Sequence, residues 1–259
     1  MRIAICFSGQ IRTAIESSEN LIRYFGEEYP NCDFFIHTWN MDDDKITGEQ
    51  TMVDKDRITK LKEIYNPKEI VIDDYNEINS IENFDRGYVL YYTFMRSVDL
   101  KREYEIKNGF QYDYVIKLRM DLIFNNHRRL SMDINEFPYK EQNGVWIENP
   151  PRRFTKNTLW VDDIFFIGTS ENMDIMSKYY RFIKEYLKVG HYVRTYENSL
   201  PKYLFDRGIT IFNNRRDENG YVLQEGYVMD GYTVYRESCK HLSPMTDFLK
   251  ILHQEQTRK

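Results

Sequence analysis

The segment Ser8–Arg12 combines a glycine turn with a basic side chain and follows the short apolar run Arg2–Phe7. A strand, a glycine turn and a helix N-terminus present free backbone amides and the positive end of a helix dipole to a ligand, which suits an anion. The guanidinium of Arg12 would add a charged donor for a phosphate oxygen. The alternative is an ordinary strand-to-helix turn with a surface arginine, because one glycine without the G-x-G-x-x-G pattern is a weak signal.

A second candidate group, Arg119-Met120-Asp121, follows the apolar run Tyr112–Leu118. A carboxylate at the carboxyl end of a strand can hold a divalent cation through a hard oxygen ligand. Such a cation would neutralise a diphosphate leaving group. The alternative is an Arg–Asp ion pair that only closes the end of the strand.

Further acidic and imidazole groups lie later in the chain. Asp162 and Asp163 precede the strand-like run Ile164–Gly168, and because neighbouring strand residues point to opposite faces, one of them can face a site and act as a general base toward a hydroxyl. The alternative is a solvated turn. Glu197 precedes a predicted helix and His241 follows Cys-Lys, and each has an ordinary interpretation, as a charge at a helix start and as a lone histidine.

Alternating strand and helix patterns position these groups. Short apolar runs predict strands at Arg2–Phe7, Asp33–Trp39, Glu69–Asp73 and Tyr112–Leu118. The intervening segments predict three helices: one opens with a capping box at Thr13–Glu16, one ends before Asn66-Pro67 and one closes at Asn108-Gly109. This alternation indicates an α/β fold with a mostly parallel sheet, in which ligands bind beyond the carboxyl ends of the strands. We therefore expect Ser8–Gln10, His37–Trp39 and Arg119–Asp121 to share one edge.

The second half of the chain is less regular. Strands are predicted at Gly144–Glu148, Ile164–Gly168 and Ile209–Phe212, and loops at Asp42–Asp54 and Asn149–Asn157. Ser170 is predicted to cap a helix that continues to Leu187, with short helices at Leu200–Asp206 and Met245–His253. We find no repeat, linker or low-complexity tract, so we expect one domain over residues 1–259.

Composition limits the function classes. The chain has 259 residues, 41% of them hydrophobic, which is enough for a substantial core. Its 36 Lys and Arg residues against 41 Asp and Glu residues give a net charge of −5, which excludes general nucleic-acid binding. The apolar run near the start is too short for a signal peptide, and no window approaches a membrane span. Cys6, Cys32 and Cys239 are an odd number, so we expect a soluble protein of the cytoplasm, the host cytoplasm if the chain is viral.

In order and spacing, these segments resemble a GT-A-type glycosyltransferase, and the likeness is to small divergent transferases of microbial and large-virus glycan assembly. It rests on an S-G-x-x-R turn at Ser8–Arg12, a D-x-F-x-H-T-W strand at Asp33–Trp39, a Y-D-x-V-x-K-x-R-x-D run at Tyr112–Asp121 and a D-x-F-x-I-G strand at Asp163–Gly168. The likeness ends near residue 215.

The resemblance implies a single Rossmann-like domain of three α/β/α layers. Residues 1–124 would bind a nucleotide-diphosphate sugar and residues 125–259 the acceptor side, with transfer of the sugar to a hydroxyl of a glycan. The implied donor-binding residues are Ser8, Gly9, Gln10, Arg12, His37, Trp39, Lys117, Arg119 and Asp121.

For the chemistry, the resemblance implies that Asp163, beside Asp162, is the base of an inverting displacement, and that Glu197 lies on the acceptor side. Asp121 and His241 would hold Mn²⁺ or Mg²⁺. Arg119 stands where the family has the first acid of its metal motif, and its charge would offset that of the diphosphate, which makes the metal weaker or dispensable.

Two other classes stay open. A sugar nucleotidyltransferase shares this kind of α/β body, although it normally has a longer glycine-rich loop than Ser8–Arg12. A non-catalytic nucleotide- or glycan-binding module would fit the loss of the first acid at Arg119.

Overall fold

The computed structural model shows a mixed α/β protein. It describes residues 1–28, 32–43, 49–84, 86–124, 143–147, 152–155, 158–160, 165–188, 200, 203–204, 206–212 and 232–234. The strands are β1 (Ile3–Ser8), β2 (Cys32–Trp39), β3 (Met41–Asp43), β4 (Gln50–Met52), β5 (Glu69–Asp73), β6 (Tyr114–Leu118), β7 (Leu122–Phe124), β8 (Gly144–Ile147), β9 (Arg152–Thr155), β10 (Thr158–Trp160), β11 (Phe166–Gly168), β12 (Thr210–Phe212) and β13 (Tyr232–Val234). The helices are α1 (Ser18–Glu28), α2 (Lys55–Tyr65), α3 (Tyr75–Glu82), α4 (Arg86–Asn108), α5 (Ser170–Ser177) and α6 (Tyr179–Lys188).

Seven of these strands form one sheet in the order β12-β8-β11-β6-β1-β2-β5. The pairs β6–β1, β1–β2, β2–β5 and β8–β12 are parallel, and β11 runs antiparallel to both of its neighbours. The predicted α/β class with a mostly parallel sheet is confirmed. Because β6, β1 and β2 are adjacent and parallel, their carboxyl ends meet at one edge, where Ser8 lies opposite His37.

The central strand β1 is buried along its whole length and separates two hydrophobic clusters. Ile3, Ile5 and Phe7 join the first cluster and Ala4 and Cys6 the second, as expected for alternating strand residues. Helices α1 and α2 contribute Leu21, Phe25, Leu61 and Tyr65 to the first cluster. Helices α4, α5 and α6 contribute Tyr91, Phe94, Val98, Met173, Met176 and Ile183 to the second.

Helix α2 ends where the sequence predicts it, before Asn66-Pro67, and its start is capped. Asp54 caps the start, since its Oδ1 accepts a hydrogen bond from the backbone amide of Arg57 (2.6 Å). Asn66 closes the helix in the left-handed conformation, directly before Pro67.

The first helix begins later than the capping-box pattern predicts. Residues 12–17 form turns and α1 begins at Ser18, so a helix start at Thr13 is wrong. The hydroxyl of Ser17 donates to the carbonyl oxygen of Met120 (2.7 Å), which ties this turn segment to the end of β6. Side-chain bonds of this kind compete with helix formation.

The helix predicted to run from a Ser170 cap to Leu187 is two helices. Thr169 is the N-cap of α5, because its side chain accepts from the amide of Asn172, and Lys178 separates α5 from α6. Ser170 is the first helical residue, and its hydroxyl donates to Glu105 Oε1 (2.7 Å) instead of capping the helix.

Several short elements were not predicted from the sequence. The hairpin β3–β4 occupies part of the loop predicted at Asp42–Asp54, and β9 occupies part of the one predicted at Asn149–Asn157. These loop predictions are wrong there, because strands of three or four residues carry too little alternation to be recognised. Helix α3 was also missed. The helix predicted at Met245–His253 lies outside the described residues.

Candidate anion-binding site

The turn after β1 has the backbone that its glycine predicts. Gly9 has φ of +114°, in the region that favours glycine. A Cβ atom at Gly9 would meet nothing within 4 Å, so the backbone conformation is what requires glycine there. Ser8, the last residue of β1, is buried. Apart from its neighbours in the chain, no described residue therefore lies close to Gly9 on the side that a side chain would occupy.

Arg12 links this turn to several other elements. Its guanidinium donates from Nη2 to Gln10 Oε1 (2.6 Å) and to Asp43 Oδ1 (2.8 Å), and from Nη1 to Asp121 Oδ2 (3.4 Å). Its backbone amide donates to Asp42 Oδ2 (3.0 Å). Arg12 also has φ of +41°, which is uncommon for a residue with a side chain. These bonds hold the arginine in that conformation.

Asp121 is the buried centre of the site. Its Oδ1 accepts a hydrogen bond from Arg119 Nε (2.8 Å), and its Oδ2 accepts from Arg119 Nη2 and from Arg12 Nη1. The side chain of Asp121 is 2% exposed, against 16% for Arg12 and 12% for Arg119. A two-point contact between a guanidinium and a carboxylate is a strong, directional interaction. The solvent-accessible part of this trio is therefore cationic.

Asp42 joins the hairpin β3–β4 and α2 to the same site. Its Oδ2 accepts from Arg57 Nη1 (3.2 Å) as well as from the Arg12 amide. Burial raises the pKa of Asp42, while the bond from the Arg12 amide and the charge of Arg57 oppose that shift. Among the described residues, nothing bonds to Asp42 Oδ1.

Sequence reasoning missed Asp42, Asp43 and Arg57 as members of the site. Asp42 and Asp43 follow closely on the carboxyl end of β2, so the edge rule that selected Ser8 could have selected them too. Arg57 gave no sequence signal, because only the hairpin brings it close to the turn.

The described residues do not fit a metal centre. Both oxygens of Asp121 accept hydrogen bonds from guanidinium groups, so a cation would have to displace Arg119 or Arg12 to reach them. No group of three His, Cys, Asp or Glu side chains suited to a metal occurs within the part of the chain that the structure describes. His241, the other predicted ligand, lies outside it.

His37 lies at the predicted edge, but its side chain is fully buried beneath α4. Its Nε2 is 2.9 Å from Asp73 Oδ2, and Tyr92 donates to the same carboxylate oxygen (3.2 Å). Burial lowers the pKa of His37, and the bond to Asp73 opposes this shift. The hydrogen bond from His37 in turn lowers the pKa of Asp73. These contacts tie β2, β5 and α4 together.

Trp39 and Lys117 are also core residues in this structure. The Trp39 ring stacks on Tyr92 with centroids 5.5 Å apart. The ammonium of Lys117 lies 5.1 Å from the ring centroid of Phe166 and 5.8 Å from that of Phe94. The structure thus brings Gln10, Arg12, Arg119 and Asp121 together and places His37, Trp39 and Lys117 in the packing below them. Donor binding by either group of residues stays a prediction.

Four other predicted residues, Asp162, Asp163, Glu197 and His241, lie outside the described residues. Their roles as bases, acceptor-side group and metal ligand stay predictions. The strand that follows the two aspartates in sequence is described: its first residue, Phe166, is paired with Lys117 near the carboxyl end of β6. β11 therefore begins at the edge of the sheet where Arg119 lies.

The fold and site define a mixed α/β protein with an arginine–aspartate cluster at the carboxyl ends of neighbouring parallel strands. Residues 1–140, more than half of the chain, match the family described as "Domain of unknown function (DUF7796)", and the chain belongs to that family. The matched region contains the complete Arg12–Asp121 cluster. No curated protein matches the chain. Within the described ranges, no helix has the length and apolar content needed to cross a membrane.

Proposed function

We propose that the protein is a glycosyltransferase that moves a sugar from a nucleotide-diphosphate donor to a hydroxyl of a glycan acceptor. The observation that carries the proposal is the meeting of the Gly9 turn, Arg12 and the Arg119–Asp121 pair at the carboxyl ends of β1 and β6. Ligands of parallel α/β sheets bind at this edge. Hydrophobic clusters on both sides of β1 are consistent with the three α/β/α layers of a GT-A domain.

The reaction needs opposite charges at its two ends. As the acceptor oxygen bonds to the anomeric carbon, the bond from that carbon to the diphosphate breaks and its electron pair leaves with the diphosphate. The guanidinium groups of Arg12 and Arg119 would stabilise that leaving group. Mn²⁺ or Mg²⁺, which the resemblance implies, finds no fitting set of ligands among the described residues.

Asp163, with Asp162 beside it, is proposed as the base that takes the proton of the attacking hydroxyl, which would make the reaction inverting. Glu197 is proposed for the acceptor side. The direction of β11 supports this assignment, because Phe166, three residues after Asp163 in sequence, begins its strand at the arginine-bearing edge.

A thermal-shift panel of UDP, GDP, CDP and dTDP sugars tests donor binding. A ligand at ~100 times its dissociation constant stabilises the folded state by about 2.7 kcal/mol, which raises the melting temperature by several degrees. Product analysis then separates the classes: free nucleoside diphosphate indicates a transferase, and pyrophosphate a nucleotidyltransferase. A panel without any shift would contradict the proposal.

The substitution Asp163→Asn tests the base. It should lower turnover by ~10²-fold or more and leave donor affinity almost unchanged. Asp162→Asn is the matched control, because it makes the same change at the neighbouring residue. Equal turnover of Asp163→Asn and the wild type would remove Asp163 from the mechanism.

A non-catalytic nucleotide-binding module is the second candidate. It is favoured by the three hydrogen bonds that Asp121 accepts from Arg119 and Arg12, because they engage both oxygens of the carboxylate that the resemblance assigns to a metal ion. Donor binding without transfer, and without slow hydrolysis of the donor, would identify this class.

A further inference from the structure

We propose that Arg12 and Arg119 bind the diphosphate directly, without a divalent cation, and that Asp121 is the residue that positions both guanidinium groups. This inference rests on the proposed function, since the diphosphate is that of the nucleotide-sugar donor. It assigns to Asp121 a role different from that of a metal ligand.

Asp121 holds together two like charges from different parts of the sheet. Arg12 follows β1 and Arg119 follows β6, and each donates to the same carboxylate oxygen, Oδ2. Without the carboxylate the two guanidinium groups would repel each other. Because Asp121 is buried, water competes little for its oxygens, and both arginines are fixed by it.

The same arrangement directs positive charge toward a ligand. Arg12 and Arg119 with Asp121 carry one net positive charge, and the arginines are the more exposed members of the trio. A guanidinium has five N–H donors, and the three side-chain bonds of Arg12 described above do not use all of them. A diphosphate needs several donors and a counter-charge, which this pair supplies beside the open Gly9 turn.

Asp43 is the partner that a phosphate oxygen would replace. It bonds to Arg12 Nη2 from the rim of the site, and its side chain is 39% exposed, the largest value in the cluster. Because Asp43 is the exposed member of this pair, its carboxylate returns to water when a phosphate oxygen takes its place, which limits the cost of the exchange. Asp121 keeps both arginines in place during the exchange.

The deciding experiment uses the unmodified full chain. Isothermal titration with inorganic pyrophosphate and with UDP, GDP, CDP and dTDP is carried out in EDTA and again in Mn²⁺. We expect the same affinity, within about threefold, in the two conditions. Binding that occurs only with Mn²⁺ would overturn the inference and leave the proposed function standing. Failure of every diphosphate to bind in either condition would overturn both.

Variants test the positioning role. Asp121→Asn removes a negative charge, which by simple electrostatics would strengthen anion binding, yet we expect pyrophosphate affinity in EDTA to fall about tenfold or more because the arginines lose their fixed geometry. Arg181→Ala, at an exposed position of α6, is a control for the loss of one arginine and should bind as the wild type does. Tighter binding by Asp121→Asn would overturn the positioning role.

Arg119→Asp tests whether Arg119 binds the diphosphate itself, because a purely structural role would not make pyrophosphate binding depend on Mn²⁺. The substitution removes one arginine and places a second carboxylate close to Asp121, which the side chain of Arg119 contacts in the structure. We expect pyrophosphate binding in EDTA to be lost and binding in Mn²⁺ to appear. Retention of wild-type affinity in EDTA by this variant would contradict the inference.

Discussion

Replacing Lys101 by methionine should destabilise the protein severely. Lys101 is fully buried on α4, and its ammonium donates to Glu105 Oε2 (3.0 Å), Asp174 Oδ1 (2.7 Å) and Ser170 Oγ (2.5 Å). Methionine keeps a side chain of similar length but removes the charge, which leaves two carboxylates facing each other in the core. Breaking a buried ion pair by removing one partner costs about 3–5 kcal/mol.

The expected loss of stability is large relative to the total free energy of unfolding. A domain is stabilised by roughly 5–15 kcal/mol, so Lys101→Met should remove a substantial fraction of it. For a chain of this size, a loss of about 3 kcal/mol lowers the melting temperature by about 6–12 °C. Lys107→Met is the matched control, because it makes the same substitution at an exposed position of α4 and should change stability by less than about 0.5 kcal/mol.

Urea unfolding of the two variants at several pH values supplies the assay. Burial already raises the pKa of Asp174, and the charge of Lys101 opposes that shift. In Lys101→Met the pKa of Asp174 should rise further, so the carboxyl becomes easier to protonate in the folded state. The variant should therefore lose more stability at pH 8 than at pH 5.

Neutralising the acids should recover stability. Adding Glu105→Gln and Asp174→Asn to Lys101→Met removes the unpaired buried charges, and we expect at least half of the lost free energy of unfolding to return. A loss below about 1 kcal/mol in Lys101→Met alone would refute the reasoning, because it would mean that the carboxylates are solvated. So would a loss that does not vary with pH.

Three other perturbations test separate parts of the fold. Asp54→Ala removes the N-cap of α2 and should lower the free energy of unfolding by about 1 kcal/mol in a urea titration. A change below the error of the titration would show that the bond to the Arg57 amide contributes nothing. Burial lowers the pKa of His37 below 6.5, and the bond to His37 lowers the pKa of Asp73, so both groups contribute stability that is lost as pH falls. His37→Gln should flatten the decline below pH 6.5, and an equally steep decline would contradict this sign. Burial raises the pKa of the Cys6 thiol, so iodoacetamide at pH 8 should alkylate Cys6 only in denaturant. Peptide mass spectrometry checks this, and rapid alkylation of the native protein would contradict the burial of Cys6.

The central strands could be predicted from the sequence, because the apolar pattern that identifies each strand lies within the strand itself. Arg2–Phe7 is an uninterrupted apolar run before a glycine turn, and it becomes β1 with Gly9 at positive φ. The parallel α/β rule predicted that the ends of β1, β2 and β6 share one edge, and in the structure Ser8 and His37 lie opposite each other there. The alternative interpretation of Arg119 and Asp121, an ion pair at a strand end, is also what the structure shows.

The other features of the site depend on contacts between residues that are far apart in the sequence. Nothing local to Arg57 indicates that a hairpin will bring Asp42 within reach of its guanidinium. The direction of these side chains could have been predicted from the sequence. His37 and Trp39 lie on the same face of β2 as Phe35, because every second residue of a strand points to the same side, and α4 covers that face. The edge rule locates these residues in the backbone and does not specify the face of the sheet on which their side chains lie.

The position of β1 has a consequence for synthesis of the chain. Ile3 pairs with Cys32 on one side and with Tyr114 on the other, so β1 acquires its second neighbour only after roughly 80 further residues have followed β2. At about 5–20 residues per second, one edge of this largely apolar strand stays unpaired for about 4–16 s on the ribosome. An open apolar edge is a site of aggregation. Expression at a slower rate, or with a chaperone that covers nascent chains, should therefore change the yield of folded protein more than substitutions at its surface do.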